Sequence, residues 1–463
     1  MKDLAKKYEQ LQPPVRAKRS LIPKAPTMSW IALLFAWLLF AMNATSREIM
    51  NRVMPAIVDE YNLTADVVGN IVALIMVATG AFSIWGASWS DKKGVGWARK
   101  YSGVWAALGF TLFSILTGVP AFTSVVAGFV VFQVIKNAFG GMSESIEVTT
   151  VAEWWPKERR GFALGAHHSA YPWGTLLSGL LISFILVQSN DNWRMPFLIV
   201  PLLIIPIYIG YWIFSSPKRF KKYEQDTLEM NLTPAIDPSM EQTSHKKGAI
   251  LESLKNPNIL VGCIAVLLAE AAFTGLNFWL APYLAFVGNF DYAAAAGWSV
   301  IFSITGGIGQ IFWGSISDVI GRKRTMLIAF VWLTVALILF QFSASSIFML
   351  VAVQLFAGMC TNALFPVIFS LVTDSATEGY TGTAMGLAET GMYIGGASPA
   401  VLGFFINLGG GWNAQGGYIT GLYFLSSCMV LAFIITLLFT RETAGKRRGK
   451  DWALVSKKSC GIE

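Results

Sequence analysis

Twelve apolar stretches, each about the length a helix needs to cross a bilayer and each bounded by charge, Pro or Gly, govern what this chain can fold into. They centre on residues 28–57, 67–89, 101–118, 121–150, 161–187, 194–214, 258–287, 292–316, 324–342, 346–373, 381–407 and 417–440. Segments in hydrocarbon must close their backbone hydrogen bonds internally, so the expected fold is an all-α membrane protein. The composition agrees, with 54% hydrophobic and only 13% charged residues. That balance excludes a disordered chain or one that wraps nucleic acid.

The +8 net charge would suit an acidic partner if it formed a patch, but the basic residues lie between the spans. An even number of spans puts both termini on one side. Of the 35 Lys and Arg, thirty-one fall on the side of the N-terminal tail, Arg47, Arg52 and Arg194 fall on the other, and Lys136 is inside a span. Basic loops stay on the cytoplasmic side. The expectation is a protein of the cytoplasmic (inner) membrane with cytoplasmic tails at 1–27 and 441–463. The first span is long and lacks a small-residue cleavage site, so no removable signal peptide is expected. Cys263, Cys360 and Cys428 lie in apolar segments and Cys460 in the tail, with no metal spacing. No cofactor, metal or nucleic-acid partner is expected, and no Walker motif or Ser-His-Asp set indicates an enzyme.

The longest polar interval, 215–257, divides the spans six and six. It separates an N-terminal bundle, 28–214, from a C-terminal one, 258–440. Ala87-Ser-Trp-Ser-Asp91-Lys92-Lys93-Gly94, followed by Arg99 and Lys100, has a counterpart in Gly314-Ser-Ile-Ser-Asp318-Val-Ile-Gly321-Arg322-Lys323-Arg324. A second pair, Gly161-Phe-Ala163-Leu-Gly165 and Gly382-Thr-Ala384-Met-Gly386, opens the fifth span of each half. An internal repeat of six spans accounts for both.

Twelve spans, the even division and a G-x-x-x-D-x-x-G-[RK]-[RK] loop in each half resemble the major facilitator superfamily over nearly the whole chain. The resemblance implies two pseudo-symmetric six-helix bundles and alternating access. It also implies that Asp91, Arg99, Asp318 and Arg322 form charge-linked latches of the cytoplasmic gate. Arg47 with Pro55 and Ile57, in Arg-x(7)-Pro-x-Ile, looks like the first-helix pattern of the anion:cation symporters within that superfamily. Trp154-Trp155-Pro156-x-Glu158-Arg159 looks like the same group's W-F-P-x-x-E-R loop. Ser46 stands where that group has an Asp, and Lys136 lies one turn from the place of its span-four Arg.

Ionisable side chains within spans are expensive and default to function. On a helix, positions three, four, seven and eleven apart share a face. Lys136, Gly140, Ser143 and Glu147 form such a stripe on span four, with Glu144 to its side. Asn43, Arg47 and Asn51 form one on span one, Glu270, Thr274 and Asn277 on span seven, and Glu389 with Tyr393 on span eleven. Such stripes must face protein or water, and they read as the lining of one central cavity. Arg47 reads either as an anion-gripping guanidinium or as a structural bridge to Glu144 or Glu147. Asn43, Lys136, His168, Asn277, Trp279, Tyr283 and Tyr393 complete the expected substrate-binding set. Glu144, Glu147, Glu270 and Glu389 are the candidate proton carriers. The Gly-rich runs Gly306-Gly307-x-Gly309 and Gly391-x-x-x-Gly395-Gly396 read as close helix packing, not as nucleotide loops.

The expected activity is import of a small organic anion, a carboxylate or sulfonate, by proton symport in a monomer. Its rivals are a proton-coupled antiporter or uniporter for a cationic or amphiphilic drug, and a carrier of a neutral sugar or nucleoside.

Overall fold

The computed structural model describes residues 23–94, 96–156, 159–235, 249–362, 364–376 and 381–443. Among them twelve helices are long and apolar enough to cross a membrane. They are α1 Thr27–Tyr61, α2 Ala65–Ser83, α3 Gly96–Gly118, α4 Val126–Glu153, α5 Phe162–Gln188, α6 Arg194–Phe214, α7 Pro257–Val287, α8 Tyr292–Ser317, α9 Arg322–Phe342, α10 Ile347–Ser375, α11 Gly386–Leu408 and α12 Gln415–Phe439. The fold class read from the sequence is therefore correct, and the helix carrying α2 runs on to Lys93. Most of the tails at 1–27 and 441–463, and the middle of the 215–257 linker, lie outside the described residues.

Local chemistry sets several boundaries. The Asn256 side chain accepts from Asn258 N at 3.0 Å with Pro257 as the first helical residue of α7, and Asp291 accepts from Ala294 N at 2.6 Å where α8 begins. Both are N-caps that take up otherwise orphaned amides. Pro55 sits inside α1 without ending it. The helical path of α1 is instead interrupted at Glu48, between Thr27–Arg47 and Ile49–Tyr61.

Contact density separates two compact units, which are not the two halves of the sequence. The first comprises Met1–Ile49, Ala78–Ser178 and Trp193–Ser244. The start of α1, most of α3 to α6 and a linker helix, Pro217–Glu229, pack there. Trp154, Trp155, Phe214 and Tyr223 are buried together at the linker end, where the Trp155 indole donates to Ser29 O at 2.9 Å. Phe220 and Tyr223 thus hold the apolar face of the linker helix on the bundle, and Lys218, Lys221 and Lys222 point outward.

The second unit comprises Met50–Val77, Gly179–Asn192 and His245–Glu463. Within it α7 packs on α11 and α12, α8 on α10, and α9 on α12. These helices approach through glycine. A Cβ on Gly395 would stand 2.1 Å from Leu267 O, and one on Gly309 would stand 2.3 Å from Met359 O. Small residues that let backbones touch are how membrane helices associate, and the Gly-rich runs serve that purpose here.

Each unit carries the same device at its linker side. Lys100, second residue of the helix Arg99–Gly118, donates to Trp212 O and Ser215 O at 3.3 and 2.7 Å, closing the last carbonyls of α6. Lys323, second residue of α9, donates to Leu437 O and Thr440 O, both at 2.8 Å, at the end of α12. A cation at a helix C-terminus satisfies free carbonyls and the negative end of the helix dipole. The sequence repeat is visible here as a repeated contact.

Gly321, between α8 and α9, has φ +109° and ψ 152°, a region only glycine occupies without strain. A Cβ there would also lie 2.3 Å from Glu442 Oε2, whose other oxygen accepts from Lys323 N at 3.3 Å. Gly321→Ala is expected to cost about 1–3 kcal/mol, read as a fall in the melting temperature of the detergent-solubilised protein. An unchanged melting temperature would refute this account of the turn.

Candidate functional site

Arg47 is the last residue of α1 before its interruption, and its side chain runs across α4. Its Nη1 donates to Glu144 Oε2 at 2.7 Å, and both side chains are 16% exposed. Gly140, one turn before Glu144, makes room for this. A Cβ at that position would come within 3.1 Å of Arg47 Nε and 3.3 Å of Nη2. The guanidinium therefore packs against α4 where Gly140 has no side chain. The bridge to Glu144, one of the two open to it on sequence grounds, is formed.

Lys136 is fully buried, two turns before Glu144. Its Nζ donates to Ser46 O at 2.9 Å and lies 5.4 and 5.3 Å from the Phe110 and Phe197 ring centroids. It thus supplies a donor to the last turn of α1 before the interruption. Thr45 Oγ1 bonds back to Ala41 O at 2.8 Å, which also perturbs a helix. At the interruption, Glu48 is 1% exposed and accepts from the Tyr171 hydroxyl at 3.2 Å.

His167 and His168 diverge as neighbours on a helix must. His167 is buried and stacked on Phe40, with ring centroids 4.7 Å apart, whereas His168 is exposed on the Glu144 side. Asn43 is buried on α1, one turn before Arg47. The first unit thus holds Asn43, Arg47, Lys136, Glu144, Glu147 and His168 of the expected set.

The remaining residues of that set belong to the second unit. Asn277 on α7 is taken by Arg52, which donates from Nη2 to Asn277 Oδ1 at 2.5 Å and from Nη1 to Ser299 Oγ at 3.0 Å. Arg52 is fully buried and ties α1 to α7 and α8. Glu270 accepts from Thr274 Oγ1 at 2.6 Å. Glu389 is exposed on α11 and Tyr393 half-buried. Trp279 donates to Pro399 O at 3.2 Å, and Tyr283 to Gln341 O at 3.2 Å. Trp279 and Tyr283 line a cavity of about 30 Å³ with Leu402 and Tyr418. That volume suits a water molecule or two and is far below what a metabolite needs.

At the linker side, Arg99 makes a two-pronged pair with Glu153. Nε meets Oε2 and Nη2 meets Oε1, each at 2.6 Å, while Nη1 bonds Ser90 Oγ at 3.1 Å. In the second unit Arg322 Nε approaches Asp374 Oδ2 at 3.4 Å and Nη1 bonds Ser317 Oγ. The side chains of Asp91 and Asp318 lie outside the described residues. Arg99 and Arg322 thus each meet an acid at the end of the fourth helix of its half.

Comparison with known proteins agrees with this architecture. The model of the Major Facilitator Superfamily matches residues 36–300 and 290–459. The chain belongs to that superfamily. A putative metabolite transport protein of Haemophilus influenzae is 21% identical over 91% of this transporter and 98% of its own length. A glucose-6-phosphate exchanger of Xenopus laevis is 22% identical over 69% of this chain and 70% of its own. A putative tartrate transporter of Agrobacterium vitis is 20% identical over 73% and 76%. Among solved structures, a bacterial homologue of the human lysosomal transporter Spinster, inward-facing and unoccupied, superposes with TM-score 0.68 at 14% identity over 90% of this chain and 98% of its own. The chain is a multi-pass membrane transporter and not an enzyme.

Sequence reasoning missed Glu153 and Asp374. A signal was present, because the arginine and acid stand 54 residues apart in one half and 52 in the other. Packing also brings Tyr208 of α6 to Ser143 and Glu147 of α4, at 3.2 and 3.5 Å.

Proposed function

We propose that this transporter imports a small hydroxylated organic anion together with a proton, by alternating access of two six-helix repeats, 28–214 and 258–440. The observation that carries the reading is the Arg47 guanidinium packed against Gly140 and paired with the Glu144 carboxylate at 2.7 Å. A planar fork that already binds a carboxylate in a protein interior suits a second one brought by a substrate. The anion displaces Glu144, so the guanidinium stays satisfied on arrival and again on release.

The neighbouring charges favour a coupled proton. Glu48, Glu144 and Glu147 stand against Arg47 and Lys136 in the interior of α1 and α4. An anion entering this interior without a counter-charge is costly, and a proton that arrives with it lowers that cost. Lys136, bonded to Ser46 O, holds the turn that presents Arg47, and Asn43 and His168 serve the hydroxyl groups of the substrate. Relatives described as carriers of glucose 6-phosphate, glycerol 3-phosphate and tartrate all handle hydroxylated anions. The asymmetry of Lys and Arg supports an inner-membrane protein with both tails in the cytoplasm.

The test is uptake by purified protein in liposomes under an imposed inward proton gradient. Labelled tartrate, glycerol 3-phosphate and glucose 6-phosphate are compared with glucose and a quaternary amine. At least one anion is expected to accumulate, and collapse of the gradient to abolish accumulation. Gradient-driven movement of glucose or the amine with none of the anions would overturn the reading.

A further inference from the structure

Within one turn α4 carries two carboxylates that the fold treats differently. Glu144 meets Arg47, whereas Glu147 reaches α6. Glu147 Oε1 accepts from Ser143 Oγ at 2.8 Å and from the Tyr208 hydroxyl at 3.5 Å, and the two hydroxyls stand 3.2 Å from each other. The residue is 6% exposed, and among the described residues its Oε2 is buried without a hydrogen-bond partner. Both donors are neutral. A carboxyl group in this setting is costly to keep charged, and its second oxygen is where an added hydrogen would sit.

We propose that Glu147 is the proton-carrying residue, that Ser143 and Tyr208 position its carboxyl group, and that the Arg47–Glu144 pair serves the anion. This rests on the proton-coupled reading above and divides its labour between two sites on one helix. Loading forms an O–H bond on Glu147, turning an acceptor oxygen into a donor, and release returns the proton to water. Nothing else is transferred. The charged and titratable groups that face it are Glu144 on α4, Arg47 on α1 and Tyr208 on α6, with Tyr211 next to Tyr208. Tyr208 is a positioning residue on a helix that carries none of the substrate-binding set, so the sequence stripes could not single it out.

Both hydroxyls donate to the carboxylate and so favour its charged form. Removing one makes protonation easier. In liposomes containing the full chain, Tyr208→Phe is expected to move the pH of half-maximal gradient-driven uptake upward by about half a unit, and Ser143→Ala to move it the same way. Glu147→Gln is expected to lose accumulation, and its anion exchange at equal internal and external pH to become independent of pH. Glu147→Asp serves if the Gln protein does not fold, with a displaced pH profile as the expected result. Accumulation by Glu147→Gln, or a wild-type pH profile in both hydroxyl variants and in Glu147→Asp, would overturn the assignment. A wild-type protein that accumulates no anion would instead sink the reading on which it rests.

Discussion

Arg47→Ala is expected to reduce anion uptake at least about 30-fold while the protein still folds. Truncating one member of a buried, hydrogen-bonded charge pair costs on the order of 2–5 kcal/mol, and each 1.4 kcal/mol is a factor of ten. The substitution also leaves Glu144 facing the arriving anion with its own negative charge. Arg47→Lys should recover little, because Gly140 leaves room for a flat guanidinium, 3.1 Å from where a Cβ would be, and an ammonium offers a point charge in place of a fork. Folding and binding separate in Arg47→Ala/Glu144→Gln, which removes both charges. That protein should match the wild type in melting temperature more closely than Arg47→Ala and still fail to bind. Glu144→Gln alone weakens the competitor for Arg47, so it should tighten equilibrium binding of the anion and slow its turnover. The measurements are labelled-anion binding in detergent and initial rates in liposomes. Wild-type uptake by Arg47→Ala would remove the anion site from α1.

The sequence made the spans legible because hydropathy over about 20 residues is a property of the segment alone. It also marked Arg47 and the α4 carboxylates, since charge in hydrocarbon stands out whatever surrounds it. The partners were not legible. On a helical wheel, Lys136, Gly140, Ser143 and Glu147 share a stripe and Glu144 lies to one side, yet Arg47 takes Glu144 and Glu147 turns to Tyr208. A long side chain crossing a glycine does not follow the wheel, and the rotation of α4 against α6 depends on packing that no single segment encodes. The interruption of α1 was hidden for the same reason. Pro55 is the visible helix breaker, but the turn at Glu48 is attended by Lys136 from α4 and by Thr45 bonding to its own helix. Asn277, on a stripe read as cavity lining, accepts from Arg52, a residue 225 positions away that the stripe does not reveal.

The two linker-side arginines provide an internal control on what burial does to an ion pair. Arg99 and Glu153 are 3% and 12% exposed and meet at 2.6 Å through two prongs, whereas Arg322 and Asp374 are 12% and 33% exposed at 3.4 Å. Removing one partner of the first pair leaves a charge with no water to receive it and an orphaned Gly96 amide that had bonded Glu153 Oε2 at 2.6 Å. Glu153→Ala is therefore expected to cost about 3–5 kcal/mol, and Asp374→Ala no more than about 1 kcal/mol. The pair Arg99→Met/Glu153→Leu should recover much of the first loss, because apolar groups of similar size need no solvation. Thermal unfolding of the four proteins in one detergent reads all three expectations. Equal losses for Glu153→Ala and Asp374→Ala would mean that repeat position, not burial, sets the strength of these contacts. The geometry predicts the opposite, a firm contact in the first half and a loose one in the second.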